Sequence, residues 1–268
     1  MSADSVVHIR SRDNALLKDL RRLAQGSSEY RRQHRVWLEG DHLCRAALDR
    51  GLRPALAVFS EGIWHEAKAE YAHAAIKTIV ISDSLMAAIS ALESPVAMGF
   101  VIDLPPAPQL APRAPSVVLD RIQDAGNAGA ILRSAAAFGF HQVIALKGTA
   151  ALWSPKVLRA GMGAHFALQL FDAAEPALLD ALALPLVATS SHGGPVLGEQ
   201  PLPAPCAWVF GHEGQGIGAE LMQRCDLRVR IAQPGGEESL NVAAAAAICL
   251  HASAAAAAAQ RPPGSAPL

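Results

Sequence analysis

The sequence predicts an α/β protein in two domains, on three observations. Short apolar runs alternate with helical patterns along most of the 268 residues. A single proline-rich stretch interrupts that alternation. Hydrophobic residues make up 51% and charged residues 18%, which excludes disorder over most of the length and allows a sizeable core.

The elements follow in order. Leu16, Leu17, Leu20 and Leu23 have helical spacing, with Lys18, Arg21 and Arg22 on the outer face. Val36–Gly40 reads as a strand entering a turn, and His42–Arg50 as a helix closed by Gly51. Ala55–Phe59, Thr78–Ile81 and Met98–Leu104 read as strands, with helices at Ile63–Ala75 and Asp83–Ala91. Five prolines then fall within Leu104–Ser116. Proline removes backbone donors and favours extended geometry, so residues 109–115 read as a linker between domains at 1–108 and 116–259.

The second domain resumes with strands at Ser116–Ile122, Gln142–Leu146, Phe166–Phe171, Leu186–Thr189, Ala207–Phe210 and Leu227–Ile231. Helices are expected at Gly129–Phe138, Pro155–Ala160, Pro176–Leu182, Ala219–Arg224 and Leu240–Ala257. Apolar strands flanked by helices imply a largely parallel sheet, which binds ligands at the carboxyl ends of its strands. The polar, proline-rich residues 260–268 read as a disordered tail.

Composition narrows the function. Aromatic residues are 5%, too few for a surface that works mainly by stacking bases. Cys44, Cys206, Cys225 and Cys249 form no CxxC pair and complete no zinc spacing, so reduced thiols and no metal are expected. Val242–Ala259 comes closest to a membrane span, but it is an alanine background containing His251. Met1–Arg12 has no apolar core of a signal peptide. A cytoplasmic protein without a membrane partner is therefore expected. Net charge is −1, yet eight basic residues face three acidic ones between Arg10 and Arg35, leaving −6 for the remainder. Lys18, Arg21, Arg22, Arg31, Arg32 and Arg35 are accordingly candidate contacts to a polyanion; the alternative is a solvated helix face.

Three loops sit where a ligand belongs. After the strand at Ser116–Ile122 comes QDAGNAGAILR, where Gly126 and Gly129 permit a tight turn into a helix and Asn127 lies at that turn. Arg133, one turn inside, either meets an anion or forms a structural ion pair, because burying it alone is costly. The second loop, FGHEGQG, places Glu213 among glycines directly after a strand. It is no P-loop, since no Gly-Lys-Ser/Thr follows. In the third, Pro234-Gly235-Gly236 turns the chain and Ser239 and Asn241 open an alanine-rich helix.

Together and in this order, the loops resemble the SpoU/TrmH family of RNA methyltransferases within the SPOUT superfamily. The carrying residues are Asn127, Gly129 and Arg133; Gly211, Glu213, Gly214 and Gly216; and Ser239, Leu240 and Asn241. The N-terminal part resembles, more loosely, the RNA-binding domain ahead of some members, through Ser11, Asn14 and Lys18, Leu38-Glu39-Gly40 and Ser94-Pro95. Two departures stand out: Ala125 where the family usually has Pro, and Ile231-Ala232-Gln233 where Ile-Pro-Met is common. Both bear on cofactor affinity.

The resemblance implies a SPOUT domain with a deep trefoil knot, a homodimer with the site at the subunit interface, and S-adenosylmethionine bound around Thr189, Gly211, Gly216, Ile231 and Leu240. It implies methyl transfer to a ribose 2′-hydroxyl of RNA, ribosomal RNA before transfer RNA. Arg133 would act on the hydroxyl, with Asn127, Glu213, Ser239 and Asn241 orienting the groups. Base methylation and a non-catalytic RNA-binding role are the rival readings.

Overall fold

The computed structural model describes residues 6–71, 73–92, 94–190, 193–235 and 239–259. Contacts divide the chain into two compact units, one running to Pro106 and including Trp153–Phe166, the other taking in Ala107–Leu152 and the residues from Ala167 onward. Gly236 and the tail at 260–268 lie outside the described residues.

The first unit contains β1 (Val7–Ile9), α1 (Ala15–Gln25), α2 (Glu29–Gln33), β2 (Arg35–Glu39), α3 (Asp41–Asp49), β3 (Leu56–Ser60), α4 (Glu61–Tyr71), β4 (Lys77–Ile81), α5 (Asp83–Ile89) and β5 (Met98–Asp103). Its sheet has the order β1-β4-β3-β5-β2, with β5 antiparallel to both neighbours. Helix α1 starts where Asn14 Oδ1 accepts the Leu16 N–H at 2.9 Å. Its leucine stripe is buried through Leu17, Leu20 and Leu23, each such side chain contributing about 1.5–3 kcal/mol. Strand β1 and helix α2 are elements the sequence reading lacks. Three residues give β1 too short a pattern, and α2 reads as a charge run although Tyr30 anchors it in the core.

The second unit contains β6 (Ser116–Asp120), α6 (Ala125–Ala137), β7 (Gln142–Leu146), β8 (Gln169–Ala174), β9 (Leu186–Thr189), β10 (Ala207–Gly211), α8 (Ala219–Gln223), β11 (Leu227–Val229) and α9 (Val242–Ala259). Helix α7 (Pro155–Gly161) forms as expected but packs on β2 and α1, within the first unit. The strand expected at Phe166–Phe171 begins later, after a 3-10 turn at Ala164–Ala167, because Phe166 is held against Trp153, ring centroids 6.5 Å apart. Pro176–Ala181 is a 3-10 helix.

All six strands are parallel, in the order β11-β9-β10-β6-β7-β8. One face carries Val118, Ile144, Ala207 and Val209 onto Leu179 and Leu221. Helix α9 packs on β10 and on α6. There Trp208 stacks on Phe210 at 6.1 Å, and its Nε1 donates to Ser253 Oγ at 2.8 Å. By length and apolar character α9 could cross a membrane; here Ala246, Cys249, Leu250 and Ser253, spaced on one helical face, are buried. The proline-rich connection is pinned to the sheet. Buried Gln142 accepts the Ala111 N–H at 2.9 Å and donates to Ser116 Oγ at 2.8 Å.

Candidate active site at the carboxyl ends of the second sheet

Strand β6 continues toward β7 on one side and borders β10 on the other, so the strand order reverses between them. A parallel sheet opens its ligand crevice at such a point. Asp120 and Gly211 stand opposite each other there, at the carboxyl ends of β6 and β10.

The first loop enters α6 earlier than the sequence suggests. Asp124 Oδ1 accepts the Asn127 N–H at 2.8 Å, so the helix starts at Ala125. Gly126 and Gly129 are therefore helical, and Asn127 lies in the first turn instead of before it. A capping aspartate outweighs the propensity cost of two glycines.

The second loop folds tightly on itself. A Cβ at Gly211 would collide with the backbone of Gly216 and Ile217. His212 Nδ1 accepts the N–H groups of Gly214 and Gln215 at 3.0 and 3.1 Å, which requires that nitrogen unprotonated. Gly216 closes the turn at φ +68°. A second tie comes from β6: the Asp120 carboxylate accepts the Gly218 N–H at 2.7 Å and the Arg121 guanidinium at 3.1 Å. Arg121 also donates to Gln215 Oε1 at 3.0 Å and to the Gly216 carbonyl at 3.3 Å. The sequence reading missed Asp120, Arg121 and Gln215 as positioning residues. Their signal was place alone, an acid–base pair at the carboxyl end of a switch-point strand.

In the third loop Asn241 caps α9, its Oδ1 accepting the N–H groups of Ala243 and Ala244 at 2.9 and 3.2 Å. The helix therefore begins at Val242, and Leu240, expected as its first residue, precedes it and is 40% exposed.

These loops meet through side chains. Glu213 Oε1 accepts from Asn127 Nδ2 at 3.0 Å and from the Asp124 N–H at 3.1 Å, and Oε2 accepts the Gln123 N–H at 3.3 Å. Asn127 Oδ1 in turn accepts from Asn241 Nδ2 at 2.9 Å. Burial alone would raise the Glu213 carboxyl. The hydrogen bonds from Asn127 and the surrounding backbone outweigh it and hold the group below the ordinary carboxylate range.

A cavity of about 520 Å³ opens beside this junction, within the usual range for small-molecule sites. Thr189, Gly211, Gly216, Ile231 and Leu240 line it, as do Glu213 and Ser239. Asn127 and Asn241 stand behind Glu213 without lining the cavity. Arg133 does not line it either. It is exposed on α6 and makes no hydrogen bond or ion pair among the described residues.

The sequence model of the SpoU rRNA Methylase family matches residues 114–251, which hold all three loops. The chain belongs to the SpoU rRNA methylase family. A second match, to the MRM3-like substrate binding domain, covers residues 14–98. The chain is 29% identical to 23S rRNA (guanosine(2553)-2'-O)-methyltransferase RlmP of Bacillus subtilis strain 168, over 91% of this chain and 97% of that protein. An RNA 2'-O ribose methyltransferase of known structure is 28% identical, with a TM-score of 0.78, covering 94% of this chain and 100% of the other. An AdoMet-bound rRNA methyltransferase from Sinorhizobium meliloti is 25% identical, with a TM-score of 0.81, covering 96% and 99%.

The residues of this SpoU-family cavity fit S-adenosylmethionine. Ile217, Val229, Ile231 and Leu240 offer apolar walls for a flat ring, while Thr189, Glu213 and Ser239 offer polar partners for ribose and an amino-acid tail. Among the described residues no cluster of His, Cys, Asp and Glu could hold a metal.

The basic residues of the first unit are mostly engaged locally. Lys18 pairs with Asp13 at 3.3 Å, Arg22 with Asp19 at 3.1 Å and Arg35 with Asp103 at 3.6 Å. Arg32 pairs with Glu29, and the Arg31 guanidinium lies 5.2 Å from the Tyr30 ring centroid. Arg21, expected on the outer face, is half-buried and donates to the Ala88 carbonyl at 2.9 Å, because α5 packs against that side of α1. Exposed pairs of this kind hold their side chains weakly, because water and salt screen them.

Proposed function

We propose that the protein transfers the methyl group of S-adenosylmethionine to a ribose 2′-hydroxyl of ribosomal RNA. The observation that carries this reading is the Glu213–Asn127–Asn241 chain, which draws the three loops together beside one cavity. The cofactor supplies an activated methyl on a sulfonium, so the protein's task is to position and activate a weak nucleophile.

Asn127 is fixed by both ends of its amide and holds Glu213 and Asn241 in one orientation. Glu213, ionised and facing the cavity, and Ser239 orient polar groups of the bound molecule. Arg133 stabilises the developing alkoxide and clamps a neighbouring phosphate. A guanidinium with pKa above about 12 suits that role better than proton removal.

Arg133 is exposed on α6 and does not line the cavity of its own chain, which supports a homodimer in which it serves the partner's site. The α6–α9 face favours such pairing, with exposed Ile248 among small alanines. A knotted topology is supported as well. The chain beyond β11 is clasped by residues 195–197, with Arg230 N–H donating to the Pro195 carbonyl at 3.0 Å and Leu197 N–H to the Arg230 carbonyl at 2.8 Å, before α9 returns to α6. Lys18, Arg22, Arg31, Arg32 and Arg35 of the first unit would meet RNA phosphates, while Arg21 holds α1 to the Ala88 carbonyl.

The test is methyl incorporation from labelled cofactor into ribosomal RNA, followed by nucleoside analysis. A 2′-O-methylnucleoside is expected, whereas a methylated base would contradict the reading. Arg133→Ala should lower turnover at least 100-fold, in the range of a lost electrostatic stabiliser. Because Arg133 lies outside the cavity, cofactor affinity should stay within about threefold, a small change on the scale of 1.4 kcal/mol per decade. Near-normal turnover in that variant would remove the assignment.

A further inference from the structure

Gln233 also lines the cavity, two residues beyond Ile231 in the third loop. Its Oε1 is buried and has no hydrogen-bond partner among the described residues. Two other polar side chains of the cavity wall are satisfied internally: Thr189 Oγ1 donates to the Val209 carbonyl at 3.3 Å, and Glu213 accepts the bonds described above. Among the described cavity-lining residues, Gln233 alone has a buried side-chain oxygen without a donor. Native proteins rarely leave such an acceptor unpaired, and a bound ligand or an ordered water then takes it up.

We propose that the Gln233 amide reads the edge of the adenine ring of the bound methyl donor. Oε1 accepts from the exocyclic amino group while Nε2 donates to ring nitrogen N7. This rests on the cavity being the S-adenosylmethionine site. A planar amide carries an acceptor beside a donor at the spacing adenine presents in reverse, the pairing by which Gln and Asn read adenine in a nucleic-acid groove. The apolar side chains of Ile231 and Leu240 in the same cavity suit the ring face, so an amide among them is placed for the ring edge. Glu213, Thr189 and Ser239 are then left for ribose and the amino-acid tail. A methionine of similar length at this position could not make this pair, because a thioether has no N–H to donate. The side-chain contact would be this chain's own addition to ring recognition.

Calorimetry on the full-length protein tests the idea with two ligands. One is S-adenosylhomocysteine, the demethylated product. The other is S-inosylhomocysteine, in which a carbonyl replaces the amino group. The wild type should prefer the adenosyl ligand by about tenfold or more, the worth of a buried hydrogen bond. Gln233→Met should weaken the adenosyl ligand about tenfold and narrow the preference, while the ligand-free variant unfolds at or above the wild-type temperature. Binding of neither ligand by the wild type would overturn the cavity reading and the proposal with it. Wild-type binding without preference between ligands would overturn the proposal alone, and needs no variant. Unchanged adenosyl affinity in Gln233→Met, or equal weakening of both ligands, would also overturn it and leave the cavity reading intact.

Discussion

At the scale of single residues, Asn127 is the link whose loss separates the loops. Its amide has a defined donor end toward Glu213 and a defined acceptor end toward Asn241. Glu213 presents acceptors alone to three donors. In Glu213→Gln an amide donor must face one of them, and cofactor affinity should fall about tenfold by titration, one lost charge-assisted hydrogen bond. The same geometry sets a pH dependence. The folded carboxyl is depressed, so its contribution is complete above the ordinary carboxylate value, about 4.3, and disappears as pH falls through the lower folded value. Stability in thermal unfolding should therefore hold at neutral pH and decline in acid. A Glu213→Gln variant with the same acid decline would locate the titrating group elsewhere. Asn127, Glu213 and Asn241 were legible through the family resemblance that the three loops carry together, since each loop alone reads as an ordinary turn between a strand and a helix. Arg121 was not. An arginine following an aspartate reads as an ordinary surface pair until β10 is known to lie beside β6.

At the scale of elements, the seam between β10 and α9 holds the second and third loops at a fixed separation. Trp208 is fully buried, and its indole N–H finds Ser253 across that seam at 2.8 Å. Ser253→Ala would strand a buried donor and should cost about 1–3 kcal/mol in urea unfolding; a change under 0.5 kcal/mol, the usual scatter of surface substitutions, would show that the bond contributes little. Elements with strong periodicity or apolar runs were readable in advance, as β7 and β9 illustrate, with the same bounds in sequence and structure. Boundaries moved where a polar cap decided them. Asp124 drew α6 forward by four residues, and Asn241 set α9 back behind Leu240. Helix α7 was legible as a helix but not as part of the first unit, since that membership depends on contacts with β2 and α1.

At the scale of the whole molecule, a domain matching a substrate-binding family precedes one matching the SpoU rRNA methylase family. Charge inequality along the sequence pointed to the first of these as the polyanion contact. The structure refines which residues are available, since Arg21 is committed to the Ala88 carbonyl while Arg22 and Arg32 are exposed and pair with Asp19 and Glu29 on their own helices. The double variant Arg22→Glu, Arg32→Glu should weaken RNA binding about tenfold and reduce the salt slope by about one for each phosphate that is no longer neutralised. Unchanged binding would make these residues a solvated face. The most direct measurement of the central claim is a ribose-methylation map of ribosomal RNA from cells with and without this protein. One 2′-O-methylated nucleotide should disappear on deletion, return with the wild-type chain and stay absent with Arg133→Ala. A map identical in both cells, or a change confined to base methylation, would contradict it.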